Sequence, residues 1–249
     1  CPFSPREYFP SPTGYAAETE STAPATRTVL DEGNGVSFVS TDKLAVFDVT
    51  KVREFKALNV YSDGSAEFSG PITTPQDHYY AVYPSSAGLA LEGDKVLVRI
   101  PNGQTATAGS FDPAANVSIG RTDFTDWYNH KLTLKNVCSL VKFSVPEGKS
   151  YAAAVLLTGS DAVLTGDLFY TMEDVPAFYN ADDDYQTASV TLKGNITGGH
   201  WYYIAVNPCT LEGGFALYFY DSEEALAGGY YATYKNTDKD VTLGRSKIL

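Results

Sequence analysis

"HWYYIAVNPCTLEGGFALYFYD", residues 200–221, decides how this chain is read. Two ring-rich runs flank a polar break. At period two, Tyr202, Ile204 and Val206 share one face of the first run, and Trp201, Tyr203 and Ala205 share the other. In the second run Phe215, Leu217 and Phe219 lie opposite Ala216, Tyr218 and Tyr220. Each run reads as a strand with one fully apolar face, so Ile204, Val206, Leu217 and Phe219 are expected in the core. The break ends in Gly213 and Gly214, which adopt positive φ at little steric cost. Together the two runs read as a hairpin with a long loop.

The same alternation recurs along the chain. Strand-like segments include "FKALNVYS", "AEFSG", "DHYYAVYPSS", "KVLVRIPNG", "SLVKFSVP", "YAAAVLLTG", "AVLTGDLFY" and "ASVTLKGNI". Asp63-Gly64 marks a hairpin turn. "GQTATAGSFDPAANVSIGR" reads as a connecting loop. Sustained helical periodicity is missing, and "DSEEALAG" at 221–228 supports a single helical turn capped by Asp221 or Ser222. Many short strands with regular turn signals predict an all-β chain of two sandwiches, with a seam near 121–131. The expected division is a leader over 1–26, a first sandwich over 27–128 and a second over 129–249.

The 249 residues carry a net charge of −12, and no Lys/Arg cluster is present, so a nucleic-acid partner is excluded. Eighteen tyrosines and only one methionine suit strands. No apolar run is long enough to cross a membrane as a helix. Cys1 followed by a Pro/Ser/Thr/Ala-rich stretch reads as the lipid-bearing cysteine and tether of an exported lipoprotein, with membrane attachment through that anchor alone. Cys138 and Cys209 are either a pair or two buried thiols.

Nothing in the chain spells out catalysis. His78, His130 and His200 lie far apart, with no ligand at metal spacing. A G-x-S-x-G elbow is missing, and so is a phosphate loop. "ADDDY" at 181–185 lacks the alternating spacing of a calcium loop. The expectation is a protein that is not an enzyme and uses no cofactor. Trp127 and Tyr128 in "DFTDWYNH", with Tyr230 and Tyr231 in "GGYYATY", are the rings best placed by sequence to stack on sugars. Their structural alternative is packing between sandwiches or beneath loops.

The chain resembles the fimbrillin-like proteins of Bacteroidetes, the type V pilin superfamily. The resemblance is carried by "TRTVLDEGNGVSFVSTDKLAVFD", "DHYYAVYPSS", "VRIPNGQTATAGSFDPAANVSIG", "LKNVCSLVKFSVP" and "HWYYIAVNPCTLEGGFALYFY", in that order over most of 26–249. It implies a lipidated precursor, two tandem transthyretin-like sandwiches and a place on the outer membrane in surface fimbriae, as pilus subunit or tip or accessory adhesin. Partners would be other pilus subunits, joined by donor-strand exchange, and host or bacterial surface glycans or proteins. Arg27 in "ATRTV" stands where the family's protease cuts. The alternative is a surface carbohydrate-binding lipoprotein that uses exposed rings.

Overall fold

The computed structural model describes residues 29–30, 36–123, 131–181 and 186–249. Two-residue strands aside, its elements are β1 (Lys43–Asp48), β2 (Lys51–Val60), β3 (Ala66–Ser69), β4 (Tyr80–Tyr83), β5 (Gly88–Glu92), β6 (Lys95–Ile100), β7 (Gly103–Thr105) and β8 (Ser118–Asp123). There follow β9 (Ser139–Ser144), β10 (Ser150–Thr158), β11 (Gly166–Met172), β12 (Pro176–Ala181), β13 (Ser189–Thr197), β14 (Trp201–Val206), β15 (Phe215–Tyr220), α1 (Glu223–Gly228) and β16 (Thr233–Thr237). The chain is all-β, as its alternation predicts.

The strands form a first sheet β8-β4-β1-β2-β3, a second β12-β11-β6-β5, a third β16-β15-β10-β13-β7, and the pair β9-β14. Pairing crosses residue 128 in both directions. β11 lies antiparallel beside β6, and β7 lies parallel beside β13.

The pair β9-β14 is the inner layer. Val141, Phe143, Tyr202, Ile204 and Val206 pack against the third sheet, while Leu140, Tyr203 and Ala205 join the core shared by the first and second sheets. Both faces of "WYYIAV" are therefore buried, and Tyr203 is core, not one of a row of outward rings. Trp201, at the strand's start, stays half exposed, with the Lys142 ammonium 4.3 Å from its ring centre.

The expected hairpin does not form. β14 pairs with β9, whereas β15 pairs with β10 and β16. Gly213 and Gly214 do take φ of 71° and 80°, but they close a tight turn in which the Gly214 N–H reaches the Leu211 carbonyl at 3.1 Å. A side chain at Gly214 would also meet the Thr237 carbonyl oxygen at 2.0 Å. The glycines thus serve a crossing between sheets. The turn at Gly64, by contrast, joins β2 to β3 antiparallel as read. The stretch after residue 102, read as a loop, begins with β7 and then buries Phe111, Ala115 and Val117.

Asp48, at the end of β1, ties this hairpin to the segment after β3. Burial opposes its charge. Thr73 donates from its hydroxyl at 2.5 Å and its amide at 3.0 Å, the Thr74 amide donates at 3.1 Å and Arg53 Nε at 3.2 Å. The outcome is a carboxyl held below its ordinary value of 3.8. A depressed folded pKa contributes stability that is present above the unfolded value and lost as pH falls through the folded one. Denaturant unfolding across a pH series should show wild type losing this increment below about pH 4, while Asp48→Asn, weaker at pH 7, has a flatter acid limb.

Candidate functional site

An aromatic cluster stands on the outer face of the third sheet. Ser222 caps α1, its Oγ accepting from the Ala225 amide at 3.1 Å. The helix ends at Gly229, left-handed at φ 74°, and the Tyr230 amide reaches back to the Ala225 carbonyl at 2.8 Å. This reversal returns the chain to β15, where the Ala232 amide donates to the Phe219 carbonyl at 2.8 Å and β16 begins.

Register then brings the rings together. Tyr218 of β15 faces Tyr234 of β16 across the sheet, with centroids 5.7 Å apart and planes 25° apart. Tyr231 stands edge-on to both, at 4.9 Å from Tyr218 and 5.8 Å from Tyr234. Tyr231 and Tyr234 remain 48% and 50% exposed. Tyr230 beside them is 78% exposed, and its ring lies over Gly228, where a Cβ would come within 2.6 Å of Cε2. The arrangement is an angular notch, not a flat row. It offers apolar ring faces and phenolic hydroxyls that can accept and donate.

Of the rings singled out by sequence, Tyr231 enters this cluster and Tyr230 flanks it. Trp127 and Tyr128 lie outside the described residues, as do Cys1 and Arg27. Tyr218 and Tyr234 were not among the candidates. Period two placed Tyr218 outward, but only the β15–β16 register shows that Tyr234 is its neighbour.

A second feature is the far face of the first sheet. Leu44, Val46, Phe55, Phe68, Ala81 and Tyr83 form a separate apolar cluster there. Phe38 joins it from outside the strands, edge-on to Phe68 at 5.2 Å and to Tyr83 at 5.6 Å.

Cys138 and Cys209 are free thiols, pushed by burial to about 12 and about 11, too high for a thiolate nucleophile near neutrality. Among the described residues, no His, Cys, Asp and Glu groups gather as metal ligands, and no helix is long and apolar enough to cross a membrane.

Solved structures place the architecture. A candidate cell adhesion protein from Bacteroides uniformis aligns with a TM-score of 0.50 at 12% identity, over 94% of this chain and 86% of that one. The likeness is one of fold. A candidate cell adhesion protein from Bacteroides ovatus scores 0.48 at 10% identity, over 94% and 89% of the two chains. A fimbrial protein from the same species scores 0.40 at 14% identity, over 96% of this chain and 48% of that one. Only the first carries weight. No family model and no curated protein matches the sequence.

Proposed function

We propose that this chain is a cell-surface pilus subunit or a tip or accessory adhesin, works without enzymatic activity, and assembles by β-strand addition at the outer-membrane surface. The observation that carries this reading is the fold shared with the candidate adhesion protein of Bacteroides uniformis. In this reading the far face of the first sheet, with Leu44, Phe55, Phe68 and Tyr83, is the strand-accepting groove. An incoming strand covers alternate apolar side chains of that face and gains main-chain hydrogen bonds where it lies along the sheet's β3 edge. Residues before Arg27 hold that place until a protease cuts after Arg27. Trimming there and following assembly tests the proposal.

The notch of Tyr218, Tyr231 and Tyr234 supports a second reading, the binding of surface carbohydrate. Pyranose rings present C–H faces to aromatic rings and hydroxyls to phenols. Tyr231→Ala with Tyr234→Ala should weaken retention on immobilised bacterial or host glycans by about tenfold, with the melting temperature kept. Equal retention of wild type and variant would remove the notch from the binding surface.

A further inference from the structure

The outer face of the third sheet carries the ring cluster at one end, and cross-strand register continues the surface away from it. Tyr234 of β16 stands opposite Tyr218 of β15, Tyr218 opposite Val155 of β10, and Val155 opposite Thr191 of β13. The residues on either side of Tyr218, Val155 and Thr191 along their strands belong to the core, so alternation turns these three outward. A second row runs alongside, with Asn236 opposite Ala216 and Ala216 opposite Leu157. Leu157 is 43% exposed and Asn236 is exposed, while Val155, Thr191 and Ala216 are half-buried. The rows make a strip across the strands, with the tyrosine notch at its β16 end.

None of these side chains is charged. Charge begins outside the strip, at exposed Lys193 further along β13 and at exposed Glu223 and Glu224 on α1, which adjoins β10 and β15. The floor mixes apolar side chains with hydrogen-bonding ones, the phenols, the Asn236 amide and the Thr191 hydroxyl. Three strand spacings make the strip about 14 Å long, and two residues along each strand make it about 7 Å wide. That footprint is far below the roughly 800 Å² that each side of a stable protein interface buries, yet too long for one sugar ring.

We infer that the strip takes an extended oligosaccharide of neutral pyranoses joined through equatorial bonds, with one ring on the tyrosines and the next laid across β15 and β10 toward Thr191. The inference rests on the carbohydrate reading of the notch and adds the length, charge and linkage of the ligand. Equatorial linkage keeps the sugar chain straight, so successive rings can turn C–H faces to Val155 and Leu157 while their hydroxyls reach Asn236 and Thr191. An uncharged floor offers a carboxylate no partner, and the net charge of −12 repels it.

The test titrates the full chain calorimetrically with cello- and xylo-oligosaccharides of increasing length. Malto-oligosaccharides, whose linkage coils the chain, and cello-oligosaccharides oxidised to glucuronates are the comparisons. One of the first two series should saturate, its affinity rising at least about tenfold from single sugar to tetramer and then levelling. Coiled and oxidised oligomers should bind at least about tenfold more weakly than the neutral straight tetramer. Leu157→Asp should remove the gain with length while keeping single-sugar binding and the melting temperature. The inference is overturned by affinity that does not grow with length, by coiled or oxidised oligomers that match the straight neutral ones, or by a length gain that survives Leu157→Asp. Single-sugar binding that disappears in Tyr231→Ala with Tyr234→Ala, without any gain from length, overturns the strip and leaves the notch standing. Absence of binding to every sugar removes both.

Discussion

Gln104→Ala should destabilise the protein by about 2–4 kcal/mol, a loss out of proportion to the few atoms removed. Gln104 lies on β7 and is buried. Its Nε2 donates to the Ala205 carbonyl at 2.7 Å and to the Pro101 carbonyl at 3.1 Å, and its Oε1 accepts from the Ala205 amide at 2.9 Å. Ala205 is on β14, whose other edge pairs with β9. One side-chain amide thus stands in for a strand at the centre of the molecule and joins the third sheet to the inner layer. Truncation leaves the buried N–H and carbonyl of Ala205, and the half-buried Pro101 carbonyl, with fewer partners. For a chain of this length the melting temperature should fall by roughly 4–16 °C. Gln104→Glu separates hydrogen bonding from volume. A carboxylate still accepts from the Ala205 amide but faces two carbonyls without a proton to give, so the variant should be destabilised near neutrality and partly restored in mild acid. A Gln104→Ala variant that melts with wild type would show that the amide joins nothing.

The residues deciding these outcomes differ in how far the sequence exposed them. Alternation identified Ile204, Val206, Leu217 and Phe219, all buried, because period two is a local property of the backbone. Pairing is not local. Two adjacent alternating runs and a Gly-Gly break have the look of a hairpin, and nothing within residues 200–221 states that β14 belongs with β9, some sixty residues earlier. Burial of both faces of β14 likewise depends on that distant placement. Gln104 carried no signal, since a glutamine in a small, polar stretch resembles any loop residue until Ala205 is set opposite it. The aromatic site was half legible. Tyr230 and Tyr231 stood out as a doublet, while Tyr218 and Tyr234 gained their meaning from cross-strand register. The Ser222 cap was readable because capping is written in contiguous sequence.

Cleavage after Arg27 should change the protein from monomer to polymer, the largest effect expected of any change considered. Arg27 stands in "ATRTV", ahead of the first strands. Under the proposed function, residues before it occupy the far face of the first sheet, and their departure uncovers Leu44, Val46, Phe55, Phe68 and Tyr83. Five side chains of this size, suddenly wet, favour capture of a strand from a neighbour; burying each contributes roughly 1.5–3 kcal/mol. Repetition from subunit to subunit gives a head-to-tail series that closes only if its rotation returns on itself.

Sedimentation velocity of the full chain before and after limited trypsin digestion is the most direct measurement. The proposed assembly predicts first cutting after Arg27, then higher oligomers that resist mild denaturant, while Arg27→Ala treated in the same way stays monomeric. Trimmed protein that remains monomeric at high concentration would contradict assembly by strand addition.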